Sequence, residues 1–199
     1  YKKSIALFPK SADAYSNLGI ILKDLGKLED AKLFTLEAIK LAPNSAIPHY
    51  SLGNILKSLG HLKEAEIATR KAIKIDPKLA IAHCNLGNIL KDLGKLEDAQ
   101  KSTQKAIEIN PSFPEAYYNL GVILKDLGKL KEAEKNTQIA IKINPYFAEA
   151  HSNLGNIFKR LGKLKDAEIE QNKAIKLNPK LAIAHCNLGN ILKDLGQLT

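Results

Sequence analysis

Apolar residues recur along this chain at spacings of three, four and seven, which is the pattern of an α-helix with one buried face. In residues 80–113, one such face comprises Ala82, Leu86, Ile89, Leu90 and Leu93. A second face in the same stretch comprises Ala99, Ala106, Ile107 and Ile109. The hydrophobic pattern therefore predicts two short helices in this segment.

Glycine and proline mark where each predicted helix ends. Gly94 follows the last apolar position of the first helix and supplies the left-handed turn of a helix C-terminus. Glu97 and Asp98 come next, in the first turn of the second helix, where acidic side chains complement the helix dipole. Pro111 ends that helix because it lacks an amide hydrogen and disfavours helical geometry in the residue before it.

The whole pattern repeats every 34 residues. The twelve glycines form two series with this interval: Gly19, Gly53, Gly87, Gly121, Gly155, Gly189, and Gly26, Gly60, Gly94, Gly128, Gly162, Gly196. The first series divides the chain into full repeats at 12–45, 46–79, 80–113, 114–147 and 148–181, with partial repeats at 1–11 and 182–199. A period of this length is typical of solenoids, in which each unit buries its apolar face by stacking on the next. We therefore expect one all-α array over residues 1–199, an α-solenoid of stacked antiparallel helix pairs.

The first glycine of each repeat falls inside a predicted helix. There it costs about 1 kcal/mol in helix propensity relative to alanine. Because Gly87 has an equivalent in every first helix, we expect a packing reason: the second helix crosses very close to it, with Ala99 at the crossing.

The third full repeat resembles the tetratricopeptide repeat. The matching residues are Leu86, Gly87, Ala99, Ala106 and Pro111. The repeats are also similar to those of O-linked GlcNAc transferase and of bacterial tetratricopeptide repeat proteins, and the resemblance covers essentially the whole chain. Two aromatic positions of the family depart from its pattern, and they hold Tyr15, His49, His83, Tyr117, His151, His185, and Thr35, Thr69, Thr103, Thr137, Gln171. The resemblance implies a right-handed superhelix whose first helices line a concave groove.

Charge, cysteine content and hydropathy predict the kind of surface the protein has and the compartment in which it works. The formal net charge is +9, but the lysines are spread through every repeat, so we expect a generally solvated surface. Cys84 and Cys186 stand three repeats apart, too far for a disulfide, which favours free thiols in a reducing compartment. No apolar run is long enough for a membrane span or signal core, so we expect a cytoplasmic protein without a membrane partner. The chain opens at Tyr1 without a methionine, and we interpret it as an excised segment of a longer protein.

Asparagine recurs on the groove side of the predicted first helices. The first asparagine row is Asn17, Asn85, Asn119, Asn153 and Asn187, with Ser51 in the remaining place. The second asparagine row, about one turn further along, is Asn54, Asn88, Asn156 and Asn190. An amide can both donate to and accept from a peptide backbone, and rungs about 10 Å apart match about three residues of extended chain. The rows predict a peptide-binding ladder, like that on the inner surface of the GlcNAc transferase repeats; the alternative is that the amides bridge neighbouring helices or bind water.

Two further sets of residues lie on the predicted groove side. Tyr50 and Tyr118 are its aromatic side chains. A basic column places one lysine near the end of each first helix: Lys23, Lys57, Lys91, Lys125, Lys159 and Lys193. The column is either a basic stripe that attracts an acidic peptide or compensation of the helix dipoles, damped by neighbouring aspartates.

No catalytic pattern accompanies the repeats. The histidines of the aromatic position recur one repeat apart and cannot converge on a metal, and no phosphate-binding loop, Cys-x-x-Cys pair or nucleophile elbow occurs. We expect no enzyme activity, no cofactor and no metal. The carboxylate clamp of chaperone-binding relatives is incomplete, because its lysine position holds Ser, Tyr or Cys, so we predict against binding of chaperone tails.

The leading function is a non-catalytic scaffold that holds a protein or peptide in extended conformation. One alternative is a structural spacer or self-associating rod for a missing, glycosyltransferase-like catalytic domain, stacked head to tail through Leu188, Ile191 and Leu195. A third hypothesis is binding of single-stranded RNA, which the 34-residue period disfavours.

Overall fold

The computed structural model of the chain describes residues 11–196. Within that range the chain forms eleven α-helices of 13 or 14 residues and no β-strand, so the predicted all-α helical repeat array is confirmed. The described helices group into two compact units, which divide between Ile109 and Asn110. The first unit contains α1 (Ala12–Asp24), α2 (Leu28–Leu41), α3 (Ala46–Ser58), α4 (Leu62–Ile75), α5 (Ala80–Asp92) and α6 (Leu96–Ile109). The second contains α7 (Pro114–Asp126), α8 (Leu130–Ile143), α9 (Ala148–Arg160), α10 (Leu164–Leu177) and α11 (Ala182–Asp194).

Parts of three predictions lie outside the described residues. The partial repeat at 1–11 does so except for Ser11, as do residues 197–199 of the last partial repeat. The head-to-tail joint between Tyr1 and Thr199 therefore lies outside as well. That residues 1–199 act as one array, and that they form a right-handed superhelix, both stay predictions.

Each unit separates its helices into two surfaces. Odd-numbered helices are the first helices of a repeat and even-numbered helices the second. Within each unit the first helices contact one another, whereas the described second helices contact only first helices. We call the surface formed by first helices the inner surface and that formed by second helices the outer surface.

The turn between the two helices of a repeat is a glycine-terminated helix end, as the sequence predicts. Gly94 has a φ of +76°, a left-handed conformation that favours glycine. Its N–H donates to the carbonyl of Lys91 at 2.9 Å, and the N–H of Lys95 donates to the carbonyl of Leu90 at 2.9 Å. These two bonds satisfy the last carbonyls of α5 and redirect the chain into α6.

The two helices of a repeat cross closely at the interior glycine. A Cβ placed on Gly87 would lie 2.1 Å from Thr103 Oγ1 and 3.2 Å from the carbonyl oxygen of Ala99. Thr103 is fully buried, and its hydroxyl donates to that same carbonyl at 2.9 Å. The predicted contact with Ala99 is therefore present, and the nearest neighbour is the threonine that replaces the family's aromatic residue.

Successive repeats share their core. In the second unit Leu154 and Phe158 of α9 pack with Ala167 of α10 and with Ile191 of the following first helix. Ile191 is fully buried there, and Leu195 packs against the same cluster. The sequence interpretation that Ile191 offers an open stacking surface is therefore wrong, because its side chain already fills the core of its own unit.

Candidate inner-surface peptide site

Three members of the first asparagine row, Asn85, Asn153 and Asn187, lie at the seam between successive repeats. Asn85, Asn153 and Asn187 are buried, Asn119 is half-buried and Asn17 is exposed. The Nδ2 of Asn85 donates to Thr69 Oγ1 at 3.4 Å, and that of Asn153 to Thr137 Oγ1 at 3.2 Å. In both cases the acceptor belongs to the second helix of the preceding repeat. The alternative interpretation of this row, that its amides bridge neighbouring helices, describes these two residues.

Asn187 makes the same kind of bridge with a different acceptor. In α10 the threonine position holds Gln171, whose Nε2 donates to the carbonyl of Ser152 at 2.9 Å. Asn187 Nδ2 accordingly donates to Ser152 Oγ at 3.3 Å. The bridge is thus kept where the threonine is lost.

The second asparagine row is more open to a ligand. Asn54, Asn88 and Asn156 are half-buried and Asn190 is exposed. Asn54 hydrogen-bonds the hydroxyl of Tyr50, whose pKa is raised, chiefly by burial. Part of each side chain of this row therefore faces solvent on the inner surface.

Two lysines of the basic column pair with aspartates of the next repeat. Lys57 Nζ lies 3.3 Å from Asp92 Oδ2, and Lys159 Nζ lies 3.0 Å from Asp194 Oδ2. Ser58 and Arg160 follow these two lysines, at the position that holds aspartate in the other first helices. Lys23 pairs with its own neighbour Asp24. Lys91 also pairs with Asp92, at 3.1 Å, and Lys193 is exposed. The lysines that pair with aspartates are therefore Lys23, Lys57, Lys91 and Lys159, and such surface pairs are worth only about 0–1 kcal/mol each.

Four residues singled out from the sequence meet in one hollow of the second unit. Its volume is about 170 Å³, and it is lined by Tyr118, Val122, Lys125, Glu149, Ser152, Asn153, Asn156 and Ile183. All of these belong to first helices, α7, α9 and α11. Lys125 Nζ donates to Asn153 Oδ1 at 3.0 Å, so Asn153 both bridges the repeats and orients the lysine. The hollow thus combines a lysine and a glutamate, two amides, a serine, an aromatic ring and two aliphatic side chains.

Local structure sets the polarity of this hollow. Burial, and secondarily the charge of Glu149, raise the pKa of Tyr118, which keeps its hydroxyl neutral and able to donate. The Tyr118 ring packs against Phe147, with centroids 5.0 Å apart. Arg160 Nη1 donates to the carbonyl of Lys125 at 2.7 Å and adds positive charge near this end of α7.

Sequence reasoning missed the aliphatic part of the hollow. Ile183 is 54% exposed, and Ile47 and Ile81, at the same repeat position in the first unit, are 45% and 41% exposed. The available signal was an isoleucine outside the buried face at this position of three repeats, whereas Asp13, Glu115 and Glu149 hold it in the others. Exposed apolar residues in a recurring register indicate a contact surface.

The asparagine bridge carries a stability prediction. Asn153→Ala should lower the free energy of unfolding by about 1–2 kcal/mol, because it removes two hydrogen bonds of a buried amide. Asn156→Ala, on the half-buried row, should stay within about 0.5 kcal/mol of the wild type. Chemical denaturation of both variants measures this, and equal losses would contradict the different roles of the two rows.

The histidines of the aromatic position bind backbone. Their Nε2 atoms lie 2.9–3.1 Å from the carbonyl oxygen of the proline six residues earlier, in His49, His83, His151 and His185.

Among the described residues no group of three or more metal-ligating side chains could hold an ion. In the same range no helix is long and apolar enough to cross a membrane.

Comparison with known proteins identifies the repeat. Family models described as tetratricopeptide repeat, or TPR repeat, match residues 1–32, 46–79, 68–101, 87–128, 114–147 and 148–181. No curated protein sequence matches the chain.

Solved structures give the same fold. YrrB, described as a TPR protein with an unusual peptide-binding site, is 26% identical, with 93% of this chain and 95% of that chain covered and a TM-score of 0.65. PilF of Pseudomonas aeruginosa is 20% identical over 94% of this chain and 85% of its own, with a TM-score of 0.82. A chain of the APC/C hetero-tetramer Cut9–Hcn1 is 17% identical over 98% of this chain and 39% of its own, with a TM-score of 0.90. The chain therefore belongs to the tetratricopeptide repeat family, whose repeats indicate a protein–protein interaction scaffold.

Proposed function

We propose that the protein binds an extended peptide segment of a partner protein on its inner surface, without catalysing a reaction on it. The observation that carries the proposal is the hollow in which Tyr118, Lys125, Asn156 and Ile183 surround one space. This combination suits a peptide, since the amide recognises backbone, the ring and Ile183 take apolar side chains, and the lysine takes a carbonyl or carboxylate. The similarity to YrrB, described as a TPR protein with an unusual peptide-binding site, agrees with it.

The two asparagine rows have different roles in this proposal. The second row contacts the peptide backbone, because its amides are partly open to solvent. The buried members of the first row tie each first helix to the preceding repeat and, through Asn153, position Lys125. The ladder expected from the sequence is thereby divided into a second row that contacts the peptide and a first row that supports the helices. The partners are proteins or peptides in extended conformation, and a cytoplasmic setting belongs to the same proposal.

Peptide affinity should depend on the second asparagine row. Ten-residue peptides selected from a random library on the immobilised protein provide the ligand. In the triple variant Asn54→Ala, Asn88→Ala and Asn156→Ala, Kd should rise at least about tenfold, because each lost amide removes one or two net hydrogen bonds of about 1 kcal/mol. Fluorescence anisotropy measures Kd.

The matched control removes three exposed amides from second helices: Gln104→Ala, Gln138→Ala and Asn172→Ala. Its Kd should equal that of the wild type. If the control weakened binding and the inner-surface variant did not, the peptide would occupy the outer surface and the proposal would fail. Binding that collapsed between low and moderate salt would instead favour the nucleic-acid hypothesis.

A second candidate, self-association, is favoured by the exposed residues of α11. Cys186 is exposed, whereas Cys84 at the equivalent position of α5 is buried, and Ile183 is the most exposed of its series. A second copy that covers this surface would bury both side chains. Light scattering tests the idea: a mass that rises with concentration supports it, and a strict monomer at high concentration contradicts it.

A further inference from the structure

The outer surface of the second unit contains a buried carboxylate. Glu170 Oε2 lies 2.6 Å from His151 Nδ1, and its Oε1 accepts from Lys173 Nζ at 2.7 Å. His151 Nε2 lies 3.1 Å from the carbonyl oxygen of Pro145, and since a carbonyl only accepts, Nε2 must carry a hydrogen. The other ring nitrogen, Nδ1, faces the carboxylate, so the imidazole of His151 and the ammonium group of Lys173 together form a carboxylate seat.

The same seat recurs in the third full repeat without a carboxylate. A shift of two repeats converts His151, Glu170 and Lys173 into His83, Ser102 and Lys105. The His83 ring is held in the same way, with Nε2 at 3.0 Å from the Pro77 carbonyl oxygen. Ser102 is too short to reach the ring, and its hydroxyl donates instead to the backbone carbonyl of His83 at 2.9 Å. Within the described residues no hydrogen bond is made by His83 Nδ1.

The space left by the short serine is a groove between α4 and α6, with α5 as its floor. Its volume is about 500 Å³. His83, Ser102 and Lys105 all line it, together with the apolar side chains of Leu86 and Leu90. The groove therefore offers a carboxylate seat beside an apolar floor.

The rim of the groove is strongly basic. Arg70, Lys74 and Lys101 line it in addition to Lys105, and Asp98 is the acid that lines it. Lys101 lies 3.8 Å from Asp98, Lys105 lies 2.8 Å from Glu108, and Arg70 pairs with Glu66 at 2.9 Å. These lysine pairs are exposed, and such pairs are worth about 0–1 kcal/mol, so a better placed carboxylate can replace them. The excess of positive charge over a partly apolar floor selects an acidic ligand with an apolar neighbour.

We propose that this outer groove is a second binding site, and that it takes a glutamate or aspartate side chain of an acidic partner peptide, flanked by an apolar residue. The partner's carboxylate takes the place that Glu170 occupies in the second unit. It accepts a hydrogen bond from Lys105 Nζ and a second one from His83 Nδ1, which takes up a proton from solvent as the acidic side chain binds, while the flanking side chain lies on Leu86 and Leu90. The site shares no lining residue with the inner-surface hollow and is independent of it.

The test uses the 199-residue protein and a fluorescein-labelled peptide of alternating Glu and Leu. The decisive variant is Ser102→Glu, which supplies the carboxylate from within the chain, as Glu170 does. It should weaken binding of the probe at least about tenfold, because the seat is filled and the charge of the groove is reduced. Lys105→Ala should weaken binding as well, and in the wild type the imidazole nitrogen resonances of His83 should shift on addition of the probe.

Asn136→Glu is the matched control. It makes the same change in net charge at the equivalent position one repeat later, where Tyr117 replaces the histidine. It should leave probe binding unchanged, as should the triple asparagine variant of the inner surface. Circular dichroism melting of each variant verifies that it is folded.

Three results would overturn the proposal. The first is equal binding by the wild type and a folded Ser102→Glu variant. The second is equal binding of a peptide with Gln in place of Glu. The third is binding of inorganic phosphate or a short RNA at His83 when the acidic peptide does not bind.

Discussion

Gly87→Ala should lower the free energy of unfolding by about 2–3 kcal/mol, although alanine is the better helix former by about 1 kcal/mol. The added Cβ would lie 2.1 Å from Thr103 Oγ1, which a side-chain rotation can relieve. It would also lie 3.2 Å from the Ala99 carbonyl oxygen, and that backbone atom moves only if α6 moves. Because α5 and α6 share a buried core, displacing one from the other exposes apolar surface.

Gly189→Ala is the matched control for this loss. It occupies the same repeat position in α11, and among the described residues nothing lies within 4 Å of the added Cβ. The substitution should be neutral or stabilise by up to about 1 kcal/mol. Urea denaturation of both variants measures the difference. Equal effects at the two glycines would show that helix propensity, and not the crossing, sets the importance of this position.

The second large effect concerns the buried carboxylate of the outer surface. Glu170→Ala should lower the free energy of unfolding at neutral pH by about 2–3 kcal/mol, because it leaves His151 Nδ1 without its buried acceptor. Glu108→Ala removes an exposed carboxylate and should change stability by less than about 0.5 kcal/mol. Similar losses in the two variants would contradict the role assigned to burial.

The contribution of Glu170 should also depend on pH. Burial raises the pKa of this carboxyl, but the hydrogen bonds from His151 and Lys173 outweigh burial, and the folded pKa lies below the ordinary 4.5. A carboxyl with a depressed folded pKa contributes stability that is present above its unfolded pKa and is lost as pH falls through the folded value. The difference in unfolding free energy between the wild type and Glu170→Ala should therefore shrink on acidification below about pH 4.5. A difference that grew on acidification would contradict the assignment.

The repeat fold could be predicted from the sequence because its determinants are local and are copied in every repeat. Gly94 and Pro111 end their helices through their own backbone chemistry, and Leu86, Ile89 and Leu90 share a face by helical spacing alone. With a fixed period, these signals predict helix bounds close to those observed. Family resemblance added the identity of the repeat.

Contacts between repeats were harder to predict. The threonines appeared in the sequence only as lost aromatic residues, whereas Thr103 is the closest neighbour of Gly87 and Thr69 accepts from Asn85. Lys57 was compared with its neighbour in sequence, while its partner Asp92 lies in the next first helix. Each of these contacts depends on the relative placement of helices from different parts of the chain, which hydrophobic spacing does not specify.

The seat of Glu170 shows the same difficulty at a single position. The exchange of Thr for Gln171 was visible in the sequence, but the partnership of Glu170 with His151 joins residues 19 positions apart on two different helices. Glu170 also differs from its equivalents, which are Phe34, Ala68, Ser102 and Asn136. A comparison of this position between repeats singles out Glu170, and the folded chain shows that its partner is His151.

The most direct test of peptide binding on the inner surface follows asparagine side chains by NMR. With isotope-labelled asparagine, the side-chain amide resonances of Asn88 and Asn156 should shift as a library-selected peptide is added. Those of Asn85 and Asn153 should move much less, because their amides already donate to threonines. Shifts confined to Asn136 and Asn172 on second helices, or no shift at a saturating peptide concentration, would contradict an inner-surface site.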